Sequence, residues 1–469
     1  MTGNVTTWPR VNSRHFLRWP SSLHKVRRER IILTIIRITS RTLLIMSLLF
    51  YNLSILLYRG LLWFLSPFHD KARKWNRGRK HLFSQLERTF ADQTAPMAWF
   101  HCASLGEFEQ GRPVIEAYRL QYPQHQILLT FFSPSGYEVR KNYPGADHIC
   151  YLPSDTASNA NHFIRLTKPK IAFFVKYEFW YHYLYVLHQQ GIPIISFSSI
   201  FRPEQLFFKP YGGFYRKLLG YFQHLFVQNE SSRQLLNSIG ISAVTVAGDT
   251  RFDRVKQVCE ARKEIPLAAA FKKQRKVLVI GSSWPADMDV LLPFLNRFNA
   301  LFKVIIAPHE IHENELQALQ KALKRTSVRY SQAEEATVYE AEVLIIDNIG
   351  MLSSLYQYGE FAYIGGAFGK GLHNILEAAT FGMPLFFGPN HRRFKEAMDL
   401  IELGAAFPIR ETADFEKSFI YLFAEESERE KKAEITRRYV AEHTGATRQI
   451  MDYVAPSRSV GPPQRGAKD

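Results

Sequence analysis

Along most of the chain the hydrophobic positions fall in short, nearly unbroken runs, separated by longer stretches where apolar and polar residues recur at helical spacing. The runs are MAWFHC (97–102), ILLTFF (127–132), IAFFVK (171–176), PIISFS (193–198), HLFVQ (224–228) and AVTVAG (243–248), and then KVLVIGS (276–282), FKVIIAP (302–308), VLIID (343–347), FAYIGG (361–366) and PLFFG (384–388). Runs apolar on both pleat faces predict strands covered on both sides. The stretches between them, such as 109–120 and 229–239, predict crossover helices, so the pattern is that of parallel α/β sheets. A charged stretch from Arg254 to Arg275 divides the series. The expectation is an α/β protein of two Rossmann-like lobes with a cleft between them. Residues 411–445 read as charged helix and the final residues as a disordered tail.

The N-terminal pattern is different. Residues 42–58, TLLIMSLLFYNLSILLY, carry no charge; Arg59 interrupts, and GLLWFLSPF continues to residue 68. A spanning helix needs roughly 20 apolar residues, so this segment either crosses a bilayer or lies along its face. Basic clusters bracket it: seven Lys/Arg against one acid in residues 1–30, and six Lys/Arg in 71–80. Such flanks favour an anionic membrane surface and a cytosolic position for the rest of the chain. Met46 opens the apolar string, which makes residues 1–45 read as a basic extension upstream of a more natural start.

Composition sharpens this picture in two places. Of 469 residues 46% are hydrophobic and 22% charged, which excludes a disordered chain and a multi-span transporter. Three cysteines without a CxxC spacing exclude a disulfide framework and speak against structural zinc. Sixty Lys+Arg against 43 Asp+Glu give a net charge of +17, which suits an anionic substrate or surface.

In parallel sheets ligands sit beyond the carboxyl ends of strands, so the strand-to-helix junctions hold the candidate chemistry. His101-Cys-Ala-Ser104-Leu-Gly-Glu107 places a carboxylate at a helix start, either as a cap or as a general base facing the cleft. Thr130-Phe-Phe-Ser133-Pro-Ser135-Gly136 reads mainly as an N-cap. Lys176-Tyr-Glu178-Phe-Trp180 offers a cation and a carboxylate that either pair with each other or stabilise a reacting anion. Arg251, in Gly248-Asp-Thr-Arg-Phe-Asp253, either binds an anion or pairs with Asp249 or Asp253. In the second lobe the junctions are Pro308-His309-Glu310, Asp347-Asn-Ile349-Gly350-Met351 and the glycine-rich Gly365-Gly-Ala-Phe-Gly-Lys-Gly-Leu-His373-Asn374-Ile375-Leu376-Glu377. A helix starting near Asn374 would offer free N–H groups to a phosphate, and Glu377 would accept from a ribose or base. The sequence has no Walker A lysine motif, no GxGxxG after its first strand and no HExxH, so ATPase, dehydrogenase and zinc-hydrolase readings are poor, and no metal or cofactor is expected.

Taken together, the motifs SLGE (104–107), TFFSPSG (130–136), YLPSD (151–155), KYEFW (176–180), FVQNE (226–230), GDTRFD (248–253), IGGAFGKGLHNILE (364–377) and FGPNHRRF (387–394) resemble the 3-deoxy-D-manno-octulosonic acid (Kdo) transferases of lipopolysaccharide synthesis, from about Met46 to about Arg448. The resemblance implies a glycosyltransferase-B fold and inverting transfer of Kdo from CMP-Kdo to the lipid A precursor lipid IVA, at the cytoplasmic face of the inner membrane. It implies Glu107 as general base and Glu178 and Arg251 as transition-state stabilisers. It implies CMP contacts from Pro308, His309, Ile349, Gly350, Met351, Asn374, Ile375, Leu376 and Glu377. The chain departs from the family's usual lysine at Arg251, from an Arg-His pair at His309-Glu310 and from glutamate at Met351; the last two bear on the CMP contacts.

The expected organisation is a basic extension (1–45), a membrane helix with its basic run (46–80), an acceptor lobe (81–262), a CMP-Kdo lobe (263–445) and a disordered tail (446–469). The rivals are a UDP-sugar transferase or epimerase of the same fold, and a membrane-anchored nucleic-acid scaffold. The scaffold is disfavoured because the basic clusters flank an apolar helix and aromatic residues are not interleaved as a base-stacking platform, so nucleic acid is not an expected partner. Neither the oligomeric state nor the number of Kdo units added is legible.

Overall fold

The computed structural model describes residues 45–298, 302–369 and 371–455. Residues 1–44 of the expected extension, Lys370 of the glycine-rich motif and residues 456–469 of the expected tail lie outside the described residues.

Each lobe is built on a seven-stranded, all-parallel sheet. In the first lobe the strands are β1 (Met97–Cys102), β2 (Gln126–Phe131), β3 (His148–Tyr151), β4 (Pro169–Val175), β5 (Ile194–Ser199), β6 (His224–Val227) and β7 (Val244–Val246), in the order β3-β2-β1-β4-β5-β6-β7. The second lobe holds β8 (Lys276–Ser283), β9 (Phe302–Pro308), β10 (Ser327–Arg329), β11 (Val343–Ile345), β12 (Phe361–Ile364), β13 (Leu385–Phe387) and β14 (Ala406–Pro408), in the order β10-β11-β9-β8-β12-β13-β14. The central strands are buried along most of their length: Ala98, Trp99, Phe100 and Cys102 of β1, and Val277 to Ile280 of β8, expose none of their surface. Helices on both faces supply that cover, which explains the continuous apolar runs.

The winding of each sheet reverses once, between β1 and β4 in the first lobe and between β8 and β12 in the second. Ligands of such sheets bind in the crevice that opens at this point. Local sequence sets the helix starts in the first lobe. Ser133 accepts from Ser135 N–H ahead of Pro134, Asn229 accepts from Ser232 N–H, and Asp249 accepts from Arg251 N–H.

The helix Thr250–Glu260 spans the lobes. It packs on Leu105–Gln121 of the first lobe and on Leu376–Thr380 of the second. The tail departs from expectation: residues 446–454 are a helix, Ala446–Val454, not disordered chain. Its Ala446, Ile450 and Met451 enter the first lobe's core beside Val114, Ile115 and Tyr118. The carboxylate of Asp253 holds its start, accepting from Gly445 N–H (2.6 Å) and Thr447 N–H (2.7 Å). A chain that completes its last strand in the second lobe thus returns to the first.

Among the described residues one helix, Ile45–Leu65, is long and apolar enough to cross a membrane. The basic run after it is not wholly a surface feature. Arg73 and Lys74 pair with Asp70 on an exposed helix, whereas Arg79 turns inward over the Trp75 ring (3.9 Å) and donates to the carbonyls of Leu152 and Phe132.

Candidate functional site

At the first lobe's winding reversal, β1 ends and the helix Leu105–Gln121 begins with Ser104 as its N-cap. Glu107 stands in the first turn. Its Oε2 accepts from the N–H groups of Ala103 (2.5 Å) and Ser104 (3.2 Å). The two readings of this carboxylate therefore coexist: one oxygen caps the helix, while Oε1 takes no hydrogen bond among the described residues. Burial, and then the neighbouring Glu178 carboxylate, push its pKa up to about 7; the two N–H groups and Lys176 pull the other way. A carboxyl titrating near neutrality, held by one oxygen with the other free, is suited to accept a proton from a hydroxyl.

Glu178 follows β4, the strand beside β1. Its Oε2 accepts from Trp180 Nε1–H at 2.6 Å and lies 3.1 Å from His101 Nε2. His101 is fully buried, and its Nδ1 lies 2.8 Å from Thr130 Oγ1, which accepts from Trp99 Nε1–H (2.8 Å). One proton arrangement satisfies every member: Thr130 O–H donates to His101 Nδ1, and His101 Nε2–H donates to Glu178. A chain through β1, β2 and β4 thus fixes one face of the Glu178 carboxylate. His101 carries this job although sequence reasoning assigns it no role; its signal is a polar residue opposite another, Thr130, in the register of two otherwise apolar strands.

Lys176, the first residue after β4, has φ +60°, a left-handed conformation uncommon outside glycine and enriched at functional sites. Its ammonium has no ion-pair partner among the described residues. Burial lowers its pKa, against which Asp249, Glu107 and Glu396 act while Arg251 adds to the lowering. Of the two readings of Lys176 and Glu178, their mutual pairing does not form; Glu178 is bound to His101 and Trp180 instead.

Arg251 takes the ion-pair arrangement. Its Nε donates to Asp249 (3.0 Å) and its Nη1 to Glu396 (3.3 Å), a residue of the second lobe's helix Lys395–Glu402. Burial works against its charge, but the two carboxylates outweigh that and raise its pKa. Asp253, the alternative partner, is used by Gly445 and Thr447. Arg251 therefore ties the lobes together beside Glu107 and Lys176.

In the second lobe Pro308-His309, Ile349-Gly350-Met351 and Asn374–Glu377 follow β9, β11 and β12, and the sheet order sets all of them along one stretch of its carboxyl edge. Their side chains differ in availability. Ile349 is almost fully exposed and Gly350 has φ +94° with open space at its Cα, so this turn presents backbone. Met351 packs against the core, and Ile375 and Leu376 are buried in it, so these residues have only backbone to offer. The helix expected from Asn374 begins at Leu376 and runs only to Thr380. Leu376 N–H is taken by Asn374 Oδ1 (3.2 Å), and Asn374 Nδ2 donates to Glu377 Oε1 (3.1 Å). Burial raises the Glu377 pKa, opposed by Asn374 and by Arg254 of the bridging helix and reinforced by Glu109 of the first lobe; Glu377 thus faces the gap between the lobes.

His309 lies in a ring stack: its centroid is 4.6 Å from Trp284 and 4.3 Å from His373, and Trp284 Nε1–H donates to His373 Nε2 (3.1 Å). Buried Asp287 anchors the glycine loop, accepting from Gly366 N–H and Trp284 N–H (both 2.9 Å) and from Tyr363 O–H (2.9 Å). A Cβ on Gly365 would lie 2.2 Å from the Ser282 carbonyl oxygen, so the loop's close approach to β8 needs glycine there. Neither Asp287 nor Trp284 carries a motif that sequence reasoning could use. Among the described residues no group of three or more His, Cys, Asp or Glu side chains is placed to hold a metal ion.

Known proteins share this two-lobed arrangement and much of this sequence pattern. Residues 77–254 match the family model described as 3-Deoxy-D-manno-octulosonic-acid transferase (kdotransferase). The chain is 27% identical over 336 residues to the 3-deoxy-D-manno-octulosonic acid transferase of Chlamydophila psittaci (strain ATCC VR-125 / 6BC), covering 66% of this chain and 74% of that protein. It is 25% identical over 372 residues to that of Aquifex aeolicus (strain VF5), covering 76% of this chain and 97% of that one. Among solved structures, UDP-GlcNAc 2-epimerase from Neisseria meningitidis bound to UDP-GlcNAc superposes with a TM-score of 0.55 at 18% identity, over 76% of this chain and 99% of that one; this likeness concerns the fold. The chain is a glycosyltransferase with the two-lobed glycosyltransferase-B architecture. Within that class its sequence likeness is to the Kdo transferases, through the matched domain at 77–254 and relatives about a quarter identical over most of the chain.

Proposed function

We propose that the enzyme transfers Kdo from CMP-Kdo to a hydroxyl of a lipid IVA-type acceptor with inversion, on the cytoplasmic side of the membrane that carries its N-terminal helix. The observation that carries this reading is the Glu107 carboxyl, raised to about 7 and placed beside Glu178 and Lys176 at the mouth of the first lobe. The acceptor oxygen attacks C2 of Kdo as Glu107 Oε1 takes its proton. The C2–O bond to the phosphate breaks, and CMP leaves with the electron pair. Its phosphate needs electrostatic stabilisation and no proton, and Lys176 and Arg251 supply positive charge on the acceptor side of the gap. Glu178, fixed by His101 and Trp180, adds negative charge where the oxocarbenium-like sugar develops its positive charge. On the other side, exposed backbone at Ile349-Gly350 and the Asn374–Glu377 pair are suited to ribose and base, and the His309 stack to a planar ring or a phosphate.

The test is donor recognition followed by product mass. CMP should raise the melting temperature and UDP should not, and incubation with CMP-Kdo and lipid IVA should add the mass of Kdo to the lipid. Stabilisation by UDP alone, or an unchanged lipid mass, would overturn the reading.

A further inference from the structure

The residues after β13, Gly388-Pro-Asn-His-Arg-Arg-Phe394, fold into a turn that leads into the helix Lys395–Glu402. This turn is locked to the glycine loop that follows β12. Asn390 N–H donates to the Ala367 carbonyl (2.9 Å), and Asn390 Nδ2 donates to the Gly369 carbonyl (3.3 Å). A Cβ on Gly371 would lie 3.7 Å from the Phe394 ring. Between the two loops and the end of β14 lies a cavity of about 700 Å³. Gly369 and Gly371 form one wall, and His391, Arg392, Arg393 and Arg410 line the others.

The cavity is cationic without a counter-charge. No Asp or Glu lines it, and the exposed side chains of Arg392, Arg393 and Arg410 have no ion-pair or hydrogen-bond partner among the described residues. Guanidinium groups gathered around one hollow repel one another, and a crevice lined by one sign of charge concentrates the opposite sign. The guanidinium fork matches the paired oxygens of a carboxylate or a phosphate. Position in the fold indicates which reactant supplies that anion. The glycine loop that walls the cavity runs on into Asn374–Glu377, on the nucleotide side, and the arginine turn runs on into Glu396, the partner of Arg251 at the proposed transfer site. In the proposed donor the reacting carbon, C2, carries two anionic groups: the phosphate ester and the carboxylate of the sugar acid. Lys176 and Arg251 answer the phosphate. The carboxylate needs cations of its own, and these arginines stand on the lobe that would hold the donor.

We propose that Arg392, Arg393 and Arg410 hold the carboxylate of the transferred sugar acid in this cavity, and that they select an acidic sugar over a neutral one. A neutral sugar leaves the guanidinium groups without a partner, so the discrimination comes from charge on the sugar and not from the nucleobase. This deepens the proposed function and rests on its donor being CMP-Kdo.

The experiment uses the full chain in detergent, with CMP and CMP-Kdo titrated by calorimetry in the absence of acceptor and transfer to lipid IVA read by mass. Wild type should bind CMP-Kdo more tightly than CMP. Arg392→Gln combined with Arg393→Gln, and Arg410→Gln alone, should each weaken CMP-Kdo binding about tenfold and leave CMP binding within about twofold of wild type. All three side chains are exposed, so these variants should keep the wild-type melting temperature, and the KM for lipid IVA should not move. A wild type without the preference for CMP-Kdo, or variants that keep it, overturn the proposal. So does an equal loss for CMP and CMP-Kdo, which would put the nucleotide's phosphate in the cavity. A loss confined to the KM for lipid IVA overturns it as well, by putting an acceptor phosphate there. A preference for CMP-Kdo that the variants lose, without any sugar transfer by wild type, would remove the proposed reaction and leave the carboxylate site standing.

Discussion

The capping duty of Glu107 and its proposed duty as base conflict, and the conflict is measurable. A carboxyl whose folded-state pKa is raised from an ordinary 4.5 to about 7 binds its proton more tightly when folded, so its contribution to stability is full below about 4.5 and is lost as pH rises through 7. The proposed base catalysis needs the opposite state. Transfer should therefore rise with pH up to about 7 and then level. In Glu107→Gln that limb should vanish, with turnover down about 10²-fold or more and CMP affinity retained. The same variant should melt no lower than wild type at pH 8, because the amide still accepts from Ala103 and Ser104 without an ion to bury. Single-turnover rates between pH 5.5 and 8.5, with thermal melts alongside, check both parts; a wild-type pH limb persisting in the variant would take the proton from Glu107. This residue is legible in the sequence because SLGE places cap and carboxylate within one short turn. The support for Glu178 is not, since Trp99, His101, Thr130 and Trp180 meet only once β1, β2 and β4 are paired. The spacing leaves open whether Lys176 pairs with Glu178; no such pair forms, and Lys176 takes a left-handed conformation directly after β4.

At the scale of elements, the strands that the hydrophobic pattern marks are those covered on both faces, and their expected edges lie within two residues of the observed ones. The strands it does not mark are β3, β10 and β14, each of three or four residues and each at or beyond the flank of its sheet. Edge strands are half covered, so they lack the unbroken apolar run of a central strand. The helix Ala446–Val454 is hidden differently. Its buried Ala446, Ile450 and Met451 are a helical stripe, but a stripe on nine residues is a weak signal, and the lobe that receives it lies in the first half of the chain. Asp253 is what fixes its start, with a charged acceptor for two N–H groups. Asp253→Ala should cost about 1–3 kcal/mol, the scale of a lost charge-assisted pair of hydrogen bonds, and lower the melting temperature by several degrees. Asp253→Asn should recover part of it. An alanine variant that melts like wild type would mean that hydrophobic packing alone seats this helix.

The molecule as a whole is two lobes clasped by the bridging helix Thr250–Glu260, by the returning helix Ala446–Val454 and by the Arg251 pair to Glu396. The last of these lies beside the proposed transfer site and sets a competition. Glu396 is buried and holds a guanidinium that an anionic donor would also attract. Its negative charge repels that donor while its bond to Arg251 draws the lobes together. Glu396→Gln removes the charge and keeps an acceptor for Arg251, so the two effects separate. If repulsion dominates, CMP should bind severalfold tighter to Glu396→Gln, with a lower melting temperature in the absence of nucleotide because a part-buried ion pair has been reduced to a hydrogen bond between a cation and a neutral amide. If closure dominates, CMP should bind more weakly and the loss should track the fall in melting temperature. The local arithmetic favours repulsion. Arg251 retains Asp249, and two other elements still clasp the lobes, so one weakened contact changes closure little. An added or removed charge in a partly dry crevice acts at close range on the phosphate itself. Titration calorimetry with CMP at pH 8, where Glu107 is ionised in both proteins, measures the sign directly, and weaker binding there would assign Glu396 to the clasp.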